Sequence, residues 1–198
     1  MKIYSLLLLA FTSFNTFSQL LPPVKELAFI SGFGHGTARA TLPEGVYHPL
    51  FFIAHMGNDL GRFIKNPDLK KGIFTTYTEL QFNPVAIRND SLNTGMNYSE
   101  FEFGLNSGLK YMYPITPKWF VNISGGTGPF YFSTETRQQY KGFIFNNNFG
   151  IGTSYFLTKN LAVTALFRLR HMSNANIFSP NYGINTYNYH FSISYFLF

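Results

Sequence analysis

The 198-residue chain contains no cysteine, which excludes disulfide bonds, thiolate metal ligands and a cysteine nucleophile. Charged residues are scarce, at 12% of the sequence, and the lysines and arginines are scattered rather than gathered into a basic patch. The sequence therefore predicts no nucleic-acid partner. Beyond the N-terminal segment, no stretch approaches the roughly 18 uninterrupted apolar residues that a transmembrane helix needs. These absences also exclude a helical membrane protein.

The first 18 residues have the pattern of a secretory signal peptide. Met1-Lys2-Ile3 supplies a positive start, Tyr4 to Phe11 supplies an apolar stretch, and Ser18 is a small residue at a plausible cleavage point. This apolar stretch is too short to cross a bilayer as a helix. We therefore expect a signal peptide at residues 1–18 and a single exported domain at residues 19–198.

Aromatic residues are abundant in this chain. They make up 19% of the sequence, with 24 Phe and 13 Tyr, and hydrophobic residues in total reach 45%. An exported chain that is rich in aromatics, weakly charged and without a hydrophobic helix has the composition of an outer-membrane β-barrel. The formal net charge of +6 suits a phosphate-bearing lipid surface.

Apolar and polar residues alternate along eight segments, as expected for strands that face lipid on one side. The alternation is cleanest at 99–113, where Phe101 and Phe103 oppose Glu100 and Glu102. Loops are predicted at 56–71 and 84–97, and strands at 26–40, 46–55, 72–83, 99–113, 119–133, 143–157, 161–173 and in a last segment that includes 185–197. The sequence thus predicts an all-β fold, an eight-stranded antiparallel transmembrane outer-membrane β-barrel.

The polar side of these strands carries charges of both signs. Its members share the parity opposite to the aromatic residues, and they are Glu100, Glu102, Asn106, Lys110, Asn146, Asn148, Ser154, Arg168 and Arg170. An Arg or Lys on the lipid face near the midplane would cost about 2–4 kcal/mol. The interior of an eight-stranded barrel is just large enough to be filled by side chains. We therefore expect a packed polar interior and not a pore.

Two polar residues interrupt the apolar side of the strand 161–173. His171 and Ser173 share the parity of Phe167 and Leu169, and Asn185 shares the aromatic parity of the next strand. Ser173 could act as a nucleophile that His171 activates, with Asn185 accepting a hydrogen bond from the other imidazole nitrogen. The alternative is that these residues only mark the point where the strand leaves the membrane.

The residues around this site resemble a known family. His171-x-Ser173-Asn174-Ala175, followed by Pro180-Asn181-x-Gly183-Ile184 and a terminal aromatic strand, is similar to the outer-membrane lipid A 3-O-deacylases, the PagL-like or acyloxyacyl hydrolase family. The resemblance implies an outward-facing site that removes the ester-linked hydroxyacyl chain at position 3 of lipid A, without a cofactor or metal. It also implies Ser173 as nucleophile, His171 as base, and Asn181, assisted by Asn174, as the oxyanion hole.

Asn185 departs from the family pattern, which has an acidic residue at the corresponding position. An amide can orient His171, but it cannot stabilise the imidazolium by charge. In a serine protease, the amide in place of the acid lowers turnover by about 10⁴, although cysteine proteases use an Asn in this role. Asn185 is therefore expected to serve as the third, orienting residue of the site.

The remaining histidines show no pattern of catalysis or metal binding. His35, His48 and His55 lack a metal-ligand spacing such as His-x-x-x-His, and they are interpreted as rim or structural residues. His190 has the inward parity and is expected to pack inside the barrel.

The leading hypothesis, a lipid A deacylase, implies two partners. They are lipopolysaccharide as the substrate and the lipids of the outer membrane. The first alternative is a non-catalytic structural or adhesive outer-membrane barrel. The second is a soluble lipid-binding barrel, which would need apolar residues inside and polar residues outside, and the aromatic parity disfavours it. The sequence leaves open whether the barrel forms a homodimer.

Overall fold

A computed structural model describes residues 23–37, 45–89, 97–136 and 139–198 of the chain. The predicted signal peptide, residues 1–18, lies outside these ranges. Eight antiparallel strands follow one another around a closed barrel, and the first pairs with the last. The strands are β1 (Val24–Thr37), β2 (Gly45–Asp59), β3 (Ile73–Asn89), β4 (Asn97–Pro114), β5 (Trp119–Phe132), β6 (Gly142–Phe156), β7 (Leu161–Ser173) and β8 (Ile184–Phe196). The predicted fold is confirmed.

The alternation of the sequence becomes the two faces of the barrel wall. Phe101 and Phe103 on β4 are exposed on the outer surface, whereas Glu102 between them is completely buried. The same holds for β6 and β8, where Phe149 and Phe191 face outward. Because lipid and not water covers this surface, its aromatic residues match their surroundings.

Two predicted loops were partly wrong, because β2 continues to Asp59 and β3 continues to Asn89. The polar residues that suggested loops are tolerated because half of each strand faces a polar interior. The ladder between β2 and β3 pairs Phe52 with Phe82 and Pro49 with Val85, with no pairs between them. Pro49 and Pro84, which lack an N–H donor, therefore meet at one local interruption, and the strands continue beyond it.

The connection between β2 and β3 contains two single-turn 3₁₀ helices, Gly61–Phe63 and Leu69–Lys71. Within the described residues, no helix has the length and apolar character needed to cross a membrane. The other connections at this rim are short, at 115–118 and 157–160. We call this end the turn rim, and the opposite end, where β7 ends and β8 begins, the loop rim.

Buried ion pairs fill the middle of the barrel. Arg168 on β7 donates two hydrogen bonds to Glu79 on β3, at 2.8 and 2.6 Å. Arg170 donates two to Glu102 on β4, at 2.6 and 2.9 Å, and Asn83 donates a third to the same carboxylate at 2.9 Å. Bidentate pairs of this kind satisfy charges that would be costly to bury alone. The predicted mixed-charge, packed interior is confirmed.

Further interior groups extend this network. Lys110 contacts both carboxylate oxygens of Glu26 at 2.8 Å. His55 lies between the two glutamates, with Nδ1 3.1 Å from Glu79 and Nε2 3.6 Å from Glu26. His190 is buried as predicted, and its ring packs 4.7 Å from that of Phe51. His55 and His190 therefore have interior, structural positions.

Apolar side chains close the interior at both rims. At the turn rim, the buried cluster consists of Met112, Phe156, Ala162 and Phe196. At the loop rim it consists of Tyr47, Val85, Phe130, Phe132, Ile144, Met172 and Ile184. Met172 lies between His171 and Ser173 in the sequence, and Ile184 precedes Asn185. The inward side of the candidate site is therefore anchored in a packed core.

Paired rows of residues climb toward the loop rim as they pass around the barrel, because the strands are tilted. One row leaves β1 at Leu27 and returns to β1 at Thr37, ten residues nearer the loop rim, through the outward residues Met56, Thr78, Ser107, Thr127, Asn147, His171 and Asn185. In the order β7, β8, β1, β2, each paired residue therefore lies nearer to the loop rim than its partner on the strand before.

Candidate active site

The end of β7 presents His171 and Ser173 on the outer surface. Arg170, Met172 and Asn174 are buried, whereas His171 is exposed and Ser173 is half-buried. The strand therefore keeps its alternation to its last residue. The predicted placement of both polar side chains on the apolar, lipid-facing side is confirmed.

Asn185 lies directly opposite His171 in the ladder between β7 and β8. Nδ1 of the imidazole is 2.8 Å from Oδ1 of Asn185. Because the amide oxygen can only accept, this hydrogen bond places the proton on Nδ1 and leaves Nε2 as an acceptor. The pair thus has the tautomer that a general base needs.

Ser173 stands one outward position beyond His171 on the same strand. Side chains two residues apart on one face are separated by about 6.6 Å along the strand. Among the described residues, no hydrogen bond joins Ser173 to His171. The structure thus brings the predicted nucleophile and base to one patch of surface, with a gap that a substrate or a rotamer change must close, as is common in ligand-free hydrolases.

The asparagines of the loop 174–183 form a network behind Ser173. The backbone N–H of Asn174 donates to Oδ1 of Asn181 at 2.7 Å, and Nδ2 of Asn181 donates to Oδ1 of Asn176 at 2.8 Å. The buried side chain of Asn174 donates to the carbonyl of Phe178 at 2.9 Å. The carboxamide of Asn181 is therefore fixed against the residue that follows Ser173.

The same loop is fastened to the neighbouring loop 133–141. Gln139, which is completely buried, forms a backbone bridge with Asn181. The N–H of Tyr140 donates to the carbonyl of Pro180 at 2.9 Å, and the ring of Tyr140 stacks on Phe178 with 5.2 Å between centroids. Contacts from a second loop thus hold Asn181 in place.

Gly183 lies beside the imidazole of His171, nearest to Cε1. Its φ of +76° lies in the left-handed region that favours glycine. A Cβ at this position would be 2.6 Å from Cε1 and 3.3 Å from Nε2 of His171. Only a residue without a side chain leaves the ring in its present position.

A groove of about 450 Å³ begins at His171 and Asn185 and continues along the outer wall. Its apolar lining comes from Phe149, Leu169 and Tyr187. Below it, Phe167 stacks on Tyr187 with 6.2 Å between ring centroids. The groove offers an acyl chain an apolar surface that leads away from the site.

Three further residues belong to this site, and sequence reasoning gave them no role. Asn147 on β6 pairs with His171 and lines the groove, Asn176 holds the amide of Asn181, and Gly183 makes room for the imidazole. The signal for Asn147 was present, because its outward parity between Phe145 and Phe149 is unusual for an asparagine. The other two depend on loop geometry that no periodicity reveals.

Residues 112–194 match the sequence model of the lipid A 3-O-deacylase (PagL) family. Over this range of 83 residues the chain is similar to that family. The matched range of this PagL-like chain runs from the end of β4 into β8, and it includes every candidate residue of the site. The predicted resemblance is confirmed. No curated protein shows a significant sequence match.

One solved structure supports the barrel fold. The crystal structure of the outer membrane enzyme PagL aligns with a TM-score of 0.56 at 15% sequence identity, covering 84% of this chain and 97% of that one. A designed transmembrane β-barrel aligns with a TM-score of 0.43 at 11% identity, covering 89% of this chain and 97% of that one.

Proposed function

We propose that this PagL-like chain is a serine-type lipid A deacylase of the bacterial outer membrane. It hydrolyses the ester that links a 3-hydroxyacyl chain to position 3 of lipid A, and its loop rim faces the cell exterior. The observation that carries this proposal is the 2.8 Å hydrogen bond between His171 and Asn185, on the lipid-facing wall beside Ser173. A polar pair of this kind has no role in contacting hydrocarbon.

In the proposed reaction, Oγ of Ser173 attacks the ester carbonyl while Nε2 of His171 takes the hydroxyl proton. The tetrahedral intermediate collapses, and the sugar oxygen leaves with the proton from His171. This forms an acyl-Ser173 ester. Water activated by His171 then attacks that ester, releases the 3-hydroxy fatty acid and returns the proton to Ser173.

Asn181 is the proposed donor to the oxyanion. Its Nδ2 carries two protons, of which one is donated to Asn176 and the other remains for a ligand. Asn174 acts through Asn181, because its backbone N–H fixes Oδ1 and with it the orientation of the amide. Removing one such donor from a hydrolase lowers turnover by about 10²–10³.

Substrate would reach this site laterally, within the outer leaflet. The acyl chain would lie in the groove lined by Phe149, Leu169 and Tyr187, and the sugar would remain at the loop rim. In the part of the barrel that the structure describes, ion pairs and apolar clusters fill the interior and offer the substrate no route.

Mass spectrometry of lipid A tests the proposal. Gram-negative cells that express the chain should contain lipid A that has lost one hydroxyacyl chain, and fragmentation should assign the loss to position 3. Cells with an empty vector provide the control. Heat-modifiable migration in detergent gels would establish that the barrel is folded. Unchanged lipid A in cells with a folded barrel would favour the non-catalytic barrel instead.

We expect the Asn185→Glu variant to turn over faster than the natural chain, by about tenfold or more. A carboxylate would keep the Nδ1 proton in place and also stabilise the imidazolium, which the amide does not. The Asn185→Gln variant, which has the same length without the charge, is the matched control and should show no gain. Initial rates of fatty-acid release in detergent micelles provide the measurement. An equal or slower rate for a folded Asn185→Glu variant would contradict the orienting role.

The Gly183→Ala variant is expected to lose about 10²-fold in turnover, because the new Cβ displaces the imidazole of His171, and a shift of about 1 Å can cost that much. Gly142→Ala is its control. Gly142 also has a positive φ, +97°, but its Cβ would meet nothing within 4 Å. The two variants therefore share the backbone penalty and differ in the contacts of the new Cβ, which at position 183 meets His171 and, at 3.0 Å, the carbonyl oxygen of Met172. Equal rates for both would show that backbone strain alone is responsible.

A further inference from the structure

A second pair of histidines lies on the outer wall, apart from the candidate active site. His35 on β1 and His48 on β2 face each other between the paired residues Phe33–Leu50 and Gly36–Tyr47. His35 is exposed and His48 is half-buried. Two imidazoles on the lipid-facing side of adjacent strands are unexpected, because neither ring is apolar.

The two rings turn the same nitrogen toward each other. Nδ1 of His35 is 3.4 Å from Nδ1 of His48, whereas the ring centroids are 4.8 Å apart. Zinc binds imidazole nitrogen at about 2.0–2.1 Å with tetrahedral geometry, which places two nitrogen ligands about 3.3–3.4 Å from each other. The separation in the structure equals the edge of such a coordination tetrahedron.

We propose that His35 and His48 form a binding site for a divalent transition metal ion of the zinc class. Imidazole nitrogen suits zinc, nickel and copper, whereas magnesium and calcium require oxygen ligands. In the described parts of the chain, no group of three or more His, Asp or Glu side chains could hold a metal ion. The pair therefore supplies two ligands, water takes the remaining positions, and the bound ion exchanges readily.

The hydrogen bonding of the pair allows this exchange. Without metal, Nδ1 of His48 can donate to the carbonyl of Gly34, 3.3 Å away, and to Nδ1 of His35. A metal ion takes the place of that proton, which moves to Nε2 as the ring changes tautomer. Both rings therefore stay neutral, and neither loses a proton to the solvent.

The barrel holds the pair at a height that water can reach. His35 pairs with Tyr187 on β8, one outward position below Asn185. The step from Asn185 to Tyr187 lowers the height along the barrel axis by about 5 Å. Each step from a residue to its partner on the next strand, from β7 to β8 and from β8 to β1, raises the height by about 3 Å, given strands 4.8 Å apart and tilted by about 40°. His35 thus lies at about the height of His171, and His48 lies slightly nearer the loop rim.

The site can be tested by zinc titration. The refolded chain should carry no polyhistidine tag and be held in an amine-oxide detergent. Calorimetry should detect one equivalent of Zn²⁺, and Co²⁺ should give the visible absorption of a bound, low-symmetry ion. The His35→Gln and His48→Gln variants should each weaken binding by at least about tenfold, since even the loss of a supporting residue costs 10–100-fold at metal sites. His171→Gln, which removes the other exposed histidine, should bind as the natural chain does.

Three results would overturn the proposal. The first is the absence of saturable binding by the folded chain, with folding judged by heat-modifiable migration. The second is a loss of binding in the His171→Gln variant, which would place the ion at the candidate active site. The third is a loss in only one of the His35→Gln and His48→Gln variants, which would mean that the two rings do not share an ion. None of these readouts depends on ester hydrolysis.

Discussion

The Ser173→Ala variant is expected to lose ester hydrolysis by a factor on the order of 10⁴ to 10⁶ while the barrel folds normally. Ser173 is half-buried on the outer wall and its hydroxyl forms no hydrogen bond among the described residues, so the hydroxyl contributes little to stability. If it is the nucleophile, its removal leaves only the oxyanion donor and substrate binding to accelerate the reaction.

Lipid A from cells expressing this variant should therefore retain all its acyl chains. Ser107→Ala is the matched control, because Ser107 also faces outward but lies on β4, far from the site. Its deacylation should match that of the natural chain. Full activity of Ser173→Ala would contradict covalent catalysis, and loss of activity in His171→Ala alone would then indicate that His171 activates water directly.

The interior pair of Arg170 and Glu102 is expected to dominate the stability of the barrel near the site. Both side chains are almost completely buried, and two hydrogen bonds join them. Glu102→Leu or Arg170→Met alone leaves an uncompensated charge inside, and we expect each to lower the free energy of unfolding by about 3–5 kcal/mol. The double variant, in which no charge remains, should lose much less than the sum.

Fluorescence of Trp119, the chain's single tryptophan, can follow this unfolding in guanidinium, because the ring moves from the lipid-facing wall into water. The double-mutant cycle is the internal control, since it separates the pair from the packing of each side chain. Additive losses would contradict the prediction. They would indicate that Asn83 and Thr186, which also contact the pair, satisfy each charge separately.

The architecture was predictable because a small membrane barrel imposes one rule on every strand. Phe101 and Glu102 must face opposite sides, since lipid covers one side and a filled polar interior the other. The strand ends were less predictable because an inward polar residue resembles a loop residue. The segment after Pro84 is an example. It continues β3 because Pro49 on β2 lies at the same interruption of the ladder, so the two prolines disturb the pairing of the strands at one place only.

The site was predictable to the extent that it is local in sequence. His171 and Ser173 share a parity, and Asn185 has the matching parity on the next strand, so a contact between His171 and Asn185 was expected, and the structure has it. Contacts between distant segments were not predictable, because they depend on the register with which the barrel closes. The approach of Gly183 to His171 and of His35 to His48 joins neighbouring strands, but it depends on loop conformation and on strand register that no residue spacing indicates.

The filled interior also means that a lipid substrate can reach this protein only by diffusion in the plane of the membrane. Among the described residues, ion pairs and apolar clusters leave no passage through the barrel, so the reaction proposed at His171 takes place on the outer wall, within the plane of the membrane. A lipid meets that wall by two-dimensional diffusion, and its encounter rate follows its mole fraction among neighbouring lipids. Diluting the membrane with an inert amphiphile should therefore slow the proposed hydrolysis even when the amount of lipid per litre is unchanged.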